Sequence, residues 1–173
     1  AHIHVNLAHM AENPEEYLKR ARTHLLPHEF GHVYADQNVQ RLIQQVQRDF
    51  KDYGAVVGYY GGDGKGSNLS NMSQELIADM FVRDDESLAR LYRDVLEHME
   101  GFGHIGRRDA LNLARIAALA EKRGIQIQVD QSVRDKLTDG EYRQYEAAKS
   151  YFKELFEKVQ GYSDFSQSNK GGG

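Results

Sequence analysis

The sequence predicts an α+β fold that is predominantly α-helical. Apolar residues recur at helical spacing through most of the chain, while only three short stretches read as strands. Both prolines, Pro14 and Pro27, fall where a helix should start or be interrupted. With 173 residues the chain matches one domain. We expect that domain over residues 1–160, made of a half from 1–83 and a helical half from 84–160, with a disordered tail over 161–173.

The first stretch, His2-Ile3-His4-Val5-Asn6-Leu7, puts Ile3, Val5 and Leu7 on one side, as a half-buried strand requires. Asn13-Pro14-Glu15-Glu16 then reads as a helix start, with Asn13 as N-cap and Pro14 at N1, and that helix should reach about Leu26. Pro27 is expected to interrupt it, because a proline inside a helix loses a hydrogen bond and clashes with the turn before it. A second helix should then continue through Phe50. Ala55 to Tyr60 reads as a short strand leading into a loop dense in Gly, Ser and Asn. Helices follow over residues 70–82 and 84–99, and Gly101, Gly103 and Gly106 break the pattern. Ala110 to Lys122 is strongly helical and should stop with Gly124 at the C′ position. Ile125, Ile127 and Val129 alternate as a strand or an extended connector. Thr138 and Glu141 form a capping box that opens a last helix, expected to reach about Gln160.

Composition limits the chemistry. A chain without cysteine has no disulfide, thiolate zinc knuckle, iron–sulfur cluster or cysteine nucleophile. Any metal must be held by His, Asp, Glu or backbone oxygen, and eight histidines are present. A net charge of −4 gives no general attraction to nucleic acid or anionic lipid, so neither is an expected partner. No run of ~18 apolar residues exists to span a membrane. The first ten residues lack the basic start and apolar core of a signal peptide. The Ala1 start reads as a processed or excised chain, so the compartment stays open, with a fragment of a secreted or translocated bacterial or phage protein as one setting.

The informative segment is Leu26-Pro27-His28-Glu29-Phe30-Gly31-His32-Val33. Residues four apart on a helix share a face, so His28 and His32 can aim two imidazoles at one point. Two neutral imidazoles suit Zn²⁺, and Glu29 beside the first of them can act as general base towards a metal-bound water. Composition alone would produce this pattern roughly 0.03 times in a chain of this make-up. A catalytic zinc takes a third protein ligand and leaves one position open. Glu75 is the candidate, in Gln74-Glu75-Leu76-Ile77-Ala78-Asp79-Met80-Phe81, where Asp79 lies four residues on and shares its face. Asp79 is expected to accept a ring N–H from His28 and so fix its orientation.

These residues resemble the gluzincins, zinc metallopeptidases with HExxH on one helix and a Glu ligand on a later one. Glu75-x-x-x-Asp79 is similar to the ExxxD helix of thermolysin-type enzymes. The wording of both segments is nearer to the group of anthrax lethal factor and the Pro-Pro endopeptidases, which share an HExGH segment and a Glu helix of the E-x-x-A-acid-x-Phe kind. The likeness covers about residues 25–83, which makes 1–83 the expected catalytic half. It implies a zincin-like metallopeptidase domain, one Zn²⁺ per chain on His28, His32 and Glu75, Glu29 as base, and a protein or peptide substrate. Two departures stand out. Pro27 precedes His28 where these families continue the helix. Asn68 stands about where the lethal-factor relatives place an oxyanion-stabilising Tyr, leaving Tyr60, or Tyr59 as second choice, to serve.

Other patterns are weaker. Gly61 to Ser67 fails the spacing of a phosphate loop, and Asp63 to Asn68 that of an EF-hand. His2 and His4 read as a surface pair, and His98 and His104 as loop histidines beside a glycine turn. The expected function is zinc-dependent endopeptidase. The alternative is a non-catalytic helical interaction domain of a larger toxin, phage or plasmid protein, with a structural or vestigial metal site. Oligomeric state is left open.

Overall fold

A computed structural model describes residues 12–60, 67–82, 84–99, 105–125 and 133–171. The regular elements among them are helical. They are α1 (Pro14–Arg20), a π-helical turn (Ala21–Leu25), α2 (Leu26–Asn38), α3 (Gln40–Asp49), α4 (Tyr53–Tyr60), α5 (Ser67–Asp79), α6 (Asp85–Met99), α7 (Arg107–Lys122) and α8 (Asp139–Gly171). The predominantly helical expectation is met. Of the three expected strands, residues 2–7 lie outside the described residues, as do 126–129 of the third.

The remaining strand, Ala55 to Tyr60, is instead helix α4. Its apolar residues Tyr53, Val56 and Val57 pack on the core, at the i, i+3, i+4 spacing of a helix face. Two valines and two glycines disfavour helix locally, but no strand partner is present among the described residues. A helix satisfies its backbone groups within the segment, and burial of Val56 outweighs the weak local preference.

Local signals hold at several helix ends. Asn13 caps α1, accepting the Glu16 N–H on Oδ1 at 3.4 Å. Gly124 follows α7 with φ +70°, and its N–H and that of Ile125 donate to the carbonyls of Glu121 and Ala120 at 3.2 and 2.9 Å. That pair of bonds is the Schellman closure, and only glycine adopts its backbone without steric cost. The Thr138 N–H donates to Glu141 Oε1 at 3.0 Å and the Glu141 N–H to Thr138 Oγ1 at 3.2 Å, completing the capping box of α8.

Three boundaries differ from expectation. Pro27 does not interrupt the chain: α1 passes through the π turn directly into α2. The wider turn just before the proline relieves the clash its ring would make one turn back, and the Leu26 N–H reaches the Ala21 carbonyl five residues away. The helix expected through Phe50 is broken at Val39, at φ −120°, ψ −5°, which turns α3 so that Val39, Ile43 and Val46 all enter the core. The last helix also passes Gln160 and continues to Gly171, over most of the stretch expected to be a disordered tail. Once a long helix is nucleated and packed, each further residue adds a hydrogen bond without a new nucleation cost, and no proline stops it.

The core is organised around α7. From Ala110 to Ala120 it is buried almost all round, as suits a helix enclosed by others. α8, α5, α6 and α4 pack on it. α8 carries Tyr145, Tyr151, Phe152 and Leu155 into the same core. Ser73 of α5 donates to the Leu69 carbonyl at 2.8 Å and meets Tyr151 Oη at 3.0 Å, a buried link between α5 and α8. Burial pushes the Tyr151 phenol up to about 12, so it stays protonated. α2 lies on the outer side, packed against α5.

Two glycines of opposite role test these boundaries. Gly124→Ala should cost about 1 kcal/mol in chemical denaturation, because an alanine pays for a left-handed backbone there. Gly161 has open space for a Cβ within α8, so Gly161→Ala should raise the helical signal in circular dichroism and leave stability equal or higher.

Candidate metal centre

The π turn and α2 bring three histidines, His24, His28 and His32, along one side of the helix. The His24 and His28 rings stack at 5.9 Å with an interplanar angle of 8°, and His28 and His32 meet edge-on at 4.7 Å. α5 approaches this side and supplies Glu75 and Asp79. The approach depends on Gly31. A Cβ at that position would lie 2.5 Å from the Ala78 Cα and 2.7 Å from its carbonyl oxygen, well inside any real contact. The two backbones therefore touch at Gly31 and Ala78. His28 and His32 bracket Gly31 on one helix as Glu75 and Asp79 bracket Ala78 on the other.

The result is a convergence of donor atoms. His28 Nε2 lies 3.2 Å from Glu75 Oε2 and His32 Nε2 lies 3.2 Å from Glu75 Oε1. One ligand atom from each of His28, His32 and Glu75 falls within 4.8 Å of the others, a group able to hold a metal ion. Burial pushes the Glu75 carboxyl up, but the hydrogen bond from His28 and the charges of His32 and Arg115 outweigh it and hold the carboxyl below its ordinary value. Glu75 is thus kept ionised, the state in which a carboxylate binds metal. Glu29 turns partly towards solvent, its side chain 47 % exposed, with Oε1 3.9 Å from His28 Nδ1.

Asp79 is only 1 % exposed. Its Oδ1 sits 3.2 Å from His28 Nε2 without the alignment of a hydrogen bond, so it remains a buried acceptor with no donor. Its Oδ2 is bound by Nη1 of Arg115, from α7. Arg115 in turn donates from Nε to Asn112 Oδ1 at 3.1 Å. Burial brings the Arg115 guanidinium down to about 10, with the charge of Glu75 opposing, so it stays charged near neutrality.

The donors fit a zinc ion. Two imidazoles and a carboxylate with no thiolate are a borderline-hard N,N,O set, and the open side towards Glu29 matches a site with a free position. His28 has Nε2 turned to both Glu75 and Asp79, and one ring proton can serve only one of them. A metal on Nε2 would leave the ring N–H on Nδ1, whose acidic neighbour is Glu29 at 3.9 Å. Asp79 therefore stands beside the donor nitrogen as a buried charge, and not as the acceptor of the ring N–H expected from the sequence.

Two contributors were not anticipated. His24 was visible as the first member of a His-x₃-His-x₃-His series, and it braces the His28 ring. Burial, aided by the charges of His28, Arg20 and Arg90, lowers its pKa to about 4, so it stacks as a neutral ring. Arg115 was visible as a charge on the apolar side of Leu111-x₃-Arg115-x₃-Leu119, a position that demands a buried counter-charge. Tyr59 and Tyr60 end α4, but their side chains lie outside the described residues, as do His2, His4, His98, His104 and residues 61–66. Asn68 starts α5.

Two cavities lie apart from the cluster. One of about 630 Å³, lined by residues such as Asp52, Ala55, Arg143 and Gln144, is formed by α4 and α8 and shares no side chain with it. The other, about 350 Å³, runs along α2 beside Leu26, Pro27 and Phe30, with Arg22 and Phe81. Phe30 stands two residues from each of His28 and His32, about 200° round a helix at 3.6 residues per turn, so this groove is behind the face that carries the two histidines.

No family model, curated protein or solved structure matches this chain.

The helix crossing yields a direct test. Gly31→Ala should force the α2 and α5 backbones apart and destabilise the protein by about 1–3 kcal/mol or more, read as a lower denaturation midpoint. An unchanged midpoint would mean that the two helices do not touch at this point.

Proposed function

We propose that the chain is a zinc-dependent endopeptidase with a zincin-like, gluzincin-type centre. The observation that carries this reading is the placement of His28, His32 and Glu75 donor atoms within 4.8 Å of one another on two crossing helices, with Glu29 beside them. An isolated HExxH helix has no such third donor. The resemblance of the two segments to gluzincins points the same way.

Zn²⁺ bound there would supply Lewis acidity, polarising a peptide carbonyl and acidifying a water. His28 and His32 contribute neutral nitrogen donors, and Glu75 contributes charge that offsets the cation. Asp79, 3.2 Å from the His28 nitrogen that also faces Glu75, adds buried negative charge beside the centre. Glu29 takes the proton from the water that adds to the carbonyl carbon, then delivers it to the departing amine nitrogen as the C–N bond breaks. The products are a carboxylate and an amine, and Glu29 returns to its ionised state. The substrate class is protein or peptide. No helix among the described residues is long and apolar enough to cross a membrane.

Metal analysis and peptide cleavage test this together. The protein should hold one zinc per chain and lose it on His28→Ala. Glu29→Ala should retain zinc while kcat falls by about 10²–10⁴. Well-folded protein that takes up no zinc would refute the reading. Zinc bound without cleavage of any member of a peptide library would favour the interaction domain.

A further inference from the structure

Behind the candidate centre lies a buried chain of polar side chains running from α7 through α5 to α2. Among the described residues, Asp79 and Arg115 are the buried charged pair, 1 % and 5 % exposed. A buried ion pair is weak evidence for stability, since desolvating both charges cancels much of their attraction. Packing alone would be served as well by two apolar side chains of similar size. The geometry suggests another reason for keeping the charges.

We propose that Arg115 is a positioning residue of the metal site, clamping Asp79 so that its Oδ1 is held against the imidazole of His28. A carboxylate on a helix can rotate about its last bond and swing either oxygen towards a neighbour. Arg115 Nη1 takes Oδ2, which leaves Oδ1 aimed at His28, 3.2 Å from Nε2. The guanidinium is itself fixed, because its Nε and Nη2 both donate to Asn112 Oδ1, one turn back on α7. Arginine suits this role because its planar fork binds two acceptors in one fixed geometry. Lysine would carry the charge without holding both Asn112 and Asp79 in that plane. The order of control is Asn112, Arg115, Asp79, His28, so the core helix α7 acts on the candidate centre through the carboxylate held beside His28. The inference rests on the zinc reading and names the residue that tunes that site's affinity.

The test separates metal affinity from fold stability. Zinc dissociation constants are measured by competition with a chromophoric chelator, and thermal midpoints are measured on the metal-free protein in chelator. Five proteins are compared: wild type, Arg115→Lys, Arg115→Gln, Asp79→Asn and the double variant Asp79→Asn with Arg115→Gln. Arg115→Lys should keep a metal-free midpoint near wild type while its zinc affinity falls about tenfold, and Asp79→Asn should lose about 10–100-fold. The double variant removes both buried charges, which guards against a misfolded single variant. It should bind zinc no more weakly than Asp79→Asn, because Arg115 acts through Asp79. Additive losses in the double variant, or wild-type affinity in Arg115→Lys, would overturn the positioning role while leaving the zinc reading intact. Wild-type protein that binds no zinc would overturn both.

Discussion

Backbone contact between α2 and α5 at Gly31 and Ala78 is the constraint on which the site depends. Side chains usually hold two packed helices 8–10 Å apart, too far for short imidazole and carboxylate groups on both to share one point. A glycine facing the backbone of an alanine removes that spacing locally. Each donor pair then brackets the crossing residue of its own helix. His28 and His32 lie three residues before and one after Gly31, and Glu75 and Asp79 lie likewise about Ala78. Four polar groups are thereby brought to one side of the crossing, and each helix needs only local regularity to place its pair. Tyr34 and Phe81, 5.3 Å apart between ring centroids, pack the two helices further along.

The same crossing creates an electrostatic problem that the core solves. Asp79 faces inwards, and a lone buried carboxylate would be too costly to keep ionised. α7, built mainly of Ala, Leu and Ile over its buried length, carries a single charge there, Arg115, with the half-buried Asn112 beside it. The low dielectric there strengthens a satisfied network and penalises a broken one. The enclosed helix therefore does more than fill space, because its buried charge pairs with Asp79 on the face that carries the candidate ligands. Glu29 is placed differently: it is half-exposed, with access to solvent.

Much of the local structure was legible in the sequence where one residue's own chemistry decides the matter. The Asn13 cap, the Thr138–Glu141 box and the Gly124 termination each depend on neighbours within six residues, and each stands where expected. Ala55 to Tyr60 was not legible as a helix. Its valines and glycines favour extended structure when taken alone, and the deciding contribution is burial against helices distant in the sequence. Pro27 was misleading for a related reason. Its clash with the preceding turn is real, but a π turn over Ala21–Leu25 absorbs it, and the helix carrying His28 needs no fresh start. The break at Val39 likewise follows from turning α3 onto the core.

The sequence by itself determined the chemistry of the candidate site: a cysteine-free chain with His28, Glu29 and His32 on one helix face, and Glu75 and Asp79 on another. Spacing along a helix is set by backbone periodicity, so membership of a face can be read without coordinates. Only the tertiary structure decided that the two faces meet, that Gly31 permits it, and that Arg115 stands behind Asp79. Those facts depend on contacts between segments 36–47 residues apart, where close packing and the desolvation of buried charge, rather than local preference, select the arrangement.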